Sequence, residues 1–343
     1  IFTIDGKDTK DIDDAVSIQK TNDGYILKVS IADVSHYVKD IPLLFEEALL
    51  RGNSAYLADS VFPMFPHKIA NGICSLNPNE DRLAKTVEIK YDNEGNVLDS
   101  RVYKSVINSK KKMNYSDVNK VLSGELVLGY EEFVASLKMM SELSGKLTKK
   151  HEEKGSLSFG KTEVKTETNR KGKAVDLKVR ENGESQKIIE NFMIAANVEV
   201  TNLYCYLDCP FIFRVHDQPD VEKLREVLEV LKEQDLADNK ILINVQNSLE
   251  NSRIINPMQL APLLNVIEDE ERFEAVSNLL LRVMKKANYS PKNIGHFGLA
   301  EDNYTHFTSP IRRAADLVIH TIIDYVEESY YCAGSERFEQ IEE

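Results

Sequence analysis

The sequence predicts an α+β fold, with strands early, helices late and one domain over 1–343. Three observations carry this. The first hundred or so residues are rich in short β-branched and aromatic runs closed by turn signals. From Ser116 onward, apolar residues recur at three- and four-residue spacings. No internal repeat or low-complexity linker interrupts the 343 residues, a length that one large domain can fill.

In chain order, FTI and AVSI read as strands on either side of an acidic stretch, and YILKVSIADV follows a T-N-D-G turn as a third. PLLFEEALLR, about 43–51, reads as a helix stopped by Gly52. SVFPMFPHKIANGICSLNPNED has three prolines and no clear period, which predicts a long ordered loop. TVEIKYDNEGNVLDSRVY reads as a hairpin about D-N-E-G-N. YEEFVASLKMMSELSGKLTKKHEEKG has helical spacing up to Gly155, and a charged hairpin is expected around 161–180. Helices follow near 184–206, 219–235, 257–267, 270–287 and 309–329, with the short strand FIFRV between the first two.

Composition excludes several classes. No apolar run reaches the length of a membrane span, which predicts a protein without membrane segments. Cys74, Cys205, Cys209 and Cys332 lack zinc spacing and read as reduced cysteines of a cytoplasmic protein. The seven histidines form no H-x-x-x-H pair. With Ile1 in place of an initiator Met, the sequence reads as a piece excised from a longer protein. Net charge is −13, which argues against a polyanion partner, but the charge is uneven. Lys104 and Lys110–Lys112 form one basic cluster, and Lys161, Lys165, Arg170, Lys171, Lys173, Lys178 and Arg180 a second.

The opening IFTIDGKDTKDIDDAVSIQK crowds Asp5, Asp8, Asp11, Asp13 and Asp14 into ten residues. An EF-hand loop fails, since Ala15 and Asn22 stand at its fifth and twelfth places. A D-x-D-x-T phosphotransfer motif fails on Ala15 as well. What remains is D-x5-D-x-D-D between two strands, either a solvated acidic turn or a site for hard cations. Carboxylates without soft ligands select Mg²⁺ or Mn²⁺ over Zn²⁺ and suit in-line phosphoryl displacement.

TIDGKDTKDIDDAVSI is followed by VSIADVSHYV, GICSLNPNEDRLA, IIENFMIAANVEV, FRVHDQPD and NIGHFGLAEDNYTHFTSPIRR. These blocks, in this order and over nearly the whole chain, resemble the catalytic (RNB) domain of the ribonuclease II/R family, and most of all its ribonuclease R branch. The resemblance implies a processive 3′→5′ hydrolytic exoribonuclease acting on single-stranded RNA with Mg²⁺ and releasing 5′-mononucleotides. Flanking cold-shock and S1 domains would lie outside this sequence.

By motif position, the resemblance implies metal-binding roles for Asp5, Asp11, Asp13 and Asp14, and catalytic roles for Asp11, Asp13 and Arg312. Asp8 falls outside the pattern. Ser309 as N-cap and Pro310 at the first helical position predict a helix that starts there, with Arg312 in its first turn, a place more often held by a surface residue; the resemblance implies that it stabilises charge on the scissile phosphate. The resemblance assigns RNA binding to Tyr56 and Phe159 as base-clamping aromatics, to Glu190 and Asn197 as one face lining the nucleotide site, and to Arg313. Departures from the family's pattern stand at Ala314, Ala315, Thr321 and Lys85. They keep open a second reading, an RNA-binding or scaffold relative with weakened catalysis.

Overall fold

The computed structural model describes residues 1–57, 60–160, 163–168, 174–180, 183–207, 210–251, 254–265, 267 and 269–333. The chain divides into two compact units. One comprises Ile1–Lys146, Val164–Ile212 and Thr305–Glu343, the other Leu147–Glu163 and Phe213–Tyr304.

The first unit is built on strands, of which the central ones carry runs of buried side chains. β1 (Thr3–Asp5) ends on the first aspartate of the acidic stretch, and β2 (Asp14–Lys20) begins on the last. β2 pairs antiparallel with β3 (Gly24–Ala32), in the register Asp14↔Ile31. Gly24 is required at their junction: its φ is +154°, and a Cβ there would meet the Tyr91 carbonyl oxygen at 2.0 Å. Two short helices follow, α1 (Val34–Val38) capped by the Asp33 carboxylate, and α2 (Pro42–Arg51) with Pro42 in its first turn. α2 stops at Gly52, whose φ of +70° suits glycine, and the chain turns into the paired β4 (Ala55–Tyr56) and β5 (Val61–Phe62).

The expected long loop therefore carries some structure, including a π-helical turn at Lys68–Ile73. β6 (Asp81–Asp92) and β7 (Val97–Asn108) form the expected hairpin and complete a four-stranded antiparallel sheet in the order β2-β3-β6-β7. β8 (Lys112–Asn114) runs parallel to β1, setting Asp5 opposite Asn114. α3 (Tyr115–Leu122), α4 (Val134–Lys154), the paired strands β9 (Glu163–Thr168) and β10 (Ala174–Arg180), and α5 (Glu184–Tyr204) follow. α5 lies against β3, β6 and β7. The side chains of the second basic cluster all lie outside the described residues.

The second unit is mainly helical. β11 (Phe213–Val215) pairs antiparallel with β12 (Asn288–Ser290). Between them come α6 (Val221–Glu233), α7 (Asn239–Asn251), α8 (Pro257–Leu260), α9 (Pro262–Asn265) and α10 (Glu270–Val283). α7 is not among the helices expected from sequence. Its polar Asn, Gln and Ser residues dilute the pattern, yet Leu242, Val245 and Leu249 are buried on one face of it. The single helix expected over 257–267 is two, because Pro262 has no N–H to continue the first.

The chain returns to the first unit with α11 (Ala314–Ala333), which packs against α1 and α2. This helix starts at Ala314, later than Ser309 and Pro310 predict. Residues 310–313 form a turn in which the Ser309 carbonyl accepts from the N–H groups of Arg312 (3.3 Å) and Arg313 (3.0 Å). A core of Ile12, Ala15, Ala32, Val34, Leu76, Ile311, Ala314 and Leu317 joins the acidic stretch to this turn.

Candidate active site

Asp5 and Asp14 are brought together by strand geometry. The Phe2–Val16 bridge aligns β1 with β2, so the strand ends carrying the two aspartates lie side by side. Between them the loop is pinned from outside. The Ser75 hydroxyl accepts the Ile12 N–H (3.1 Å) and donates to the Lys10 carbonyl (2.8 Å), bracketing Asp11. Leu76 N–H donates to the Ile12 carbonyl at 3.0 Å, and Lys112 Nζ donates to the Thr9 carbonyl. Asp5 itself accepts from Gly6 N–H (2.6 Å) and from Thr9 Oγ1 (3.0 Å). Asp8 is exposed, as its place outside the motif implies.

Asp13 is the most deeply placed of the four, with 4% of its surface exposed. Its Oδ1 accepts the Ile311 N–H at 2.8 Å, and its Oδ2 lies 3.7 Å from Arg312 Nε. Burial holds the Asp13 carboxyl well above its ordinary range, although Arg312 and the Ile311 N–H oppose that shift. Burial, followed by the Asp5 charge, pushes Asp14 up to about 7, and burial raises Asp5 too. Tyr56, half exposed on β4, donates its hydroxyl to Asp11 Oδ2 at 2.5 Å. Partial burial and that carboxylate raise the phenol's pKa.

The structure thus gathers Asp5, Asp11, Asp13, Asp14, Tyr56 and Arg312. Arg312 lies in the turn ahead of α11 instead of inside its first helical turn, and its side chain is 45% exposed. Arg313, also assigned to RNA, points its Nη2 at the buried Asp316, 2.6 Å away. Asn197 is buried and its amide oxygen accepts the Phe307 N–H at 2.9 Å, whereas Glu190 is exposed beside Lys187. Phe159 belongs to the second unit, where it packs half buried on that unit's core.

Ser75, the Ile311 N–H and Asp316 are positions that sequence reasoning missed. Only Asp316 left a signal, an Arg-x-x-Asp spacing at 313–316. Lys85 is almost fully buried, with Nζ 2.5 Å from Asp33 and 3.1 Å from Asp324. Thr321 turns its hydroxyl onto the Leu317 carbonyl.

Among the described residues, no three His, Cys, Asp or Glu side chains already close around one point as an ion cage. The donor set nevertheless fits a hard cation. It offers carboxylate oxygens only, and burial makes three of the four costly to ionise, a cost that a divalent ion offsets.

Residues 1–328 match the family profile of the RNB domain. The chain is 42% identical over 335 residues to ribonuclease R of Thermotoga maritima, covering 96% of this chain and 46% of that protein. It is 40% identical over 324 residues to ribonuclease R of Mycoplasmopsis pulmonis, covering 94% and 43%. Among solved structures it is similar to Mycoplasma genitalium RNase R in complex with ribose-methylated single-stranded RNA. The TM-score there is 0.87 at 31% identity, over 94% of this chain and 49% of that one. The chain therefore spans less than half the length of these curated relatives. With its acidic stretch set against the Arg312 turn and its match running from residue 1 to residue 328, the chain belongs to the RNB-domain family.

Proposed function

We propose that this chain is the catalytic part of a metal-dependent 3′→5′ exoribonuclease that shortens single-stranded RNA and releases 5′-mononucleotides. One observation carries the reading: a buried aspartate and an exposed arginine from opposite ends of the sequence are held together by the bond from the Ile311 N–H to the Asp13 carboxylate. The names of the relatives, ribonuclease R, support the substrate class. Asp5, Asp11, Asp13 and Asp14 would hold Mg²⁺, or Mn²⁺ in its place. The bound cation supplies a lowered pKa for attacking water and charge neutralisation at the phosphate.

The chain's own residues do the rest. Arg312 reaches out from a rigid turn, suited to the charge that grows on the non-bridging phosphoryl oxygens during attack. Water adds to the last phosphorus, the P–O3′ bond breaks, and the terminal nucleotide leaves with its 5′-phosphate. The half-exposed Tyr56 ring offers a face for stacking a base of any identity, which suits an enzyme that reads through sequence. No helix among the described residues is long and apolar enough to cross a membrane.

The test uses a 5′-labelled single-stranded RNA, the matching DNA, Mg²⁺ with an EDTA control, and the Asp13→Asn variant. Stepwise shortening of RNA alone, with mononucleotide release lost in EDTA and in the variant, is the expected result. RNA that stays intact with both Mg²⁺ and Mn²⁺ overturns the reading.

A further inference from the structure

Asp316 stands in the first turn of α11 with none of its surface exposed. Its Oδ1 accepts two hydrogen bonds, from the Ser309 N–H at 2.7 Å and from Arg313 Nη2 at 2.6 Å. Ser309 is engaged in turn from its other side, because its hydroxyl accepts from Arg312 Nη2 at 3.0 Å. A path of hydrogen bonds therefore runs from the buried carboxylate through one serine to the guanidinium that approaches Asp13.

The two arginines divide the work. The Arg312 side chain is 45% exposed and lies near Asp13, while that of Arg313 is 20% exposed and paired with a carboxylate sealed from water. Asp316 cannot be ionised in such a place without a cation, and Arg313 is the one that hydrogen-bonds it. An arginine held this way is expensive to pull away toward a phosphate. Asp13 and Asp316 also grip successive parts of one turn, Asp13 at Ile311 and Asp316 at Ser309. Two fixed points two residues apart leave the backbone leading into Arg312 little freedom.

We propose that Asp316 is a positioning residue, which fixes the Arg312 guanidinium through Ser309, and that Arg313 serves as its counter-ion instead of binding RNA. The proposal rests on the nuclease reading above. It deepens that reading by naming what aims the arginine.

The experiment compares the 343-residue chain with Asp316→Asn, Ser309→Ala, Arg313→Met and the double variant Asp316→Asn/Arg313→Met. Three quantities are read: the single-turnover cleavage rate of labelled RNA at saturating protein, RNA affinity by anisotropy in EDTA, and amide hydrogen exchange of the peptide spanning 309–313. Asp316→Asn keeps an oxygen facing the Ser309 N–H but removes the charge that strengthens that bond and holds Arg313, and is expected to slow saturated cleavage about 100-fold, the scale of a misplaced catalytic group. RNA affinity should stay within about threefold, because ground-state binding is untouched. Exchange at 309–313 rises. Ser309→Ala slows cleavage in the same way, since it keeps the N–H bonded to Asp316 and removes only the hydroxyl. Arg313→Met matches Asp316→Asn, and the double variant is no slower than either single one.

Wild-type cleavage by Asp316→Asn overturns the proposal. So does an Arg313→Met variant that loses RNA affinity and keeps the saturated rate, because Arg313 then reads RNA. Should Asp316→Asn not fold, Ser309→Ala decides, and a wild-type rate there overturns the relay. Should the wild-type chain leave RNA intact, the nuclease reading fails instead. Hydrogen exchange then judges the positioning, with unchanged exchange in Asp316→Asn overturning it.

Discussion

Asp13 Oδ1 accepts the backbone N–H of Ile311 at 2.8 Å, so the most buried aspartate of the opening stretch is fixed by the residue just before Arg312. The two lie 298 positions apart in sequence. Long-range closure of this kind costs chain entropy on folding and is repaid by the packing of Ile12, Ile311 and Leu317 around it.

Asp13→Asn should separate this structural role from the chemical one. The Asn carbonyl oxygen still accepts the Ile311 N–H, but the negative charge facing Arg312 is gone. RNA cleavage should fall by at least about 100-fold, while the melting temperature holds or rises because a costly buried charge is removed. Mononucleotide release and differential scanning fluorimetry in EDTA measure the two effects. A variant that unfolds would show that the carboxylate is needed to hold the turn.

Tyr56 offers a ring and a hydroxyl, and two substitutions tell them apart. Tyr56→Ala removes the stacking face and should weaken RNA binding about 10-fold, within the range for one stacked base. Tyr56→Phe keeps the face and loses only the bond to Asp11, so affinity should change by less than about threefold. Anisotropy with labelled RNA in EDTA gives both values. Equal losses in the two variants would assign the contribution to the hydroxyl.

Asp14 predicts a pH dependence with a definite sign. Its folded pKa is raised to about 7 by burial and then by Asp5, against an ordinary value of 3.8. The folded state therefore holds the proton more tightly than the unfolded state does. The resulting stability is fully present below about pH 4 and is lost as pH rises through about 7. In EDTA, Asp14→Asn should reduce that decline, to which the raised Asp5 and Asp13 still contribute, and be the more stable protein at pH 8. Mg²⁺ should narrow the difference by favouring the ionised wild type. Urea titrations at pH 5 and pH 8 supply the comparison, and equal slopes for both proteins would reject it.

Much of the candidate site was legible because it is local. D-x5-D-x-D-D lies between two apolar runs, and β1 and β2 deliver its ends together. The Arg312 turn was less legible. Ser309 and Pro310 carry a helix-start signal, but Asp13 and Asp316 claim the N–H groups of Ile311 and Ser309, and the helix waits until Ala314. The Ser75 contacts with the acidic loop span 63 and 65 positions, and no short pattern announces such a bond. Asn197 shares a helical face with Glu190 by count, but Asn197 is buried against the Phe307 backbone while Glu190 meets solvent. Spacing gives a direction around the helix and not what lies there.

Lys85 is a buried cation between two buried carboxylates, and its removal should be costly. Its ammonium sits among Asp33, Asp324 and the Ser35 hydroxyl, with Lys104 Nζ 2.8 Å from Asp324 on the other side. Burial pushes the Asp324 carboxyl up, but Lys85 and the bonds from Lys104 and Ser35 outweigh it and hold the pKa at about 2. Lys85→Met takes the cation from the buried Asp33 and leaves Asp324 to Lys104 alone, and should destabilise by about 3–5 kcal/mol at neutral pH. The size of the loss should depend on pH because of His320, which is buried and stacked on Phe307. Burial, and then the Lys85 charge, lower the His320 pKa to about 3. In the wild type this depressed value contributes stability above about pH 6.5 that is lost as pH falls toward 3. Without Lys85, the imidazole faces Asp33 and Asp324 with one repelling charge fewer, so its pKa rises and it gains a proton more readily. The stability gap between wild type and variant should therefore shrink as pH falls from 7 to 5, in urea titrations followed by circular dichroism. A gap that stays constant would show that Lys85 acts here through packing alone.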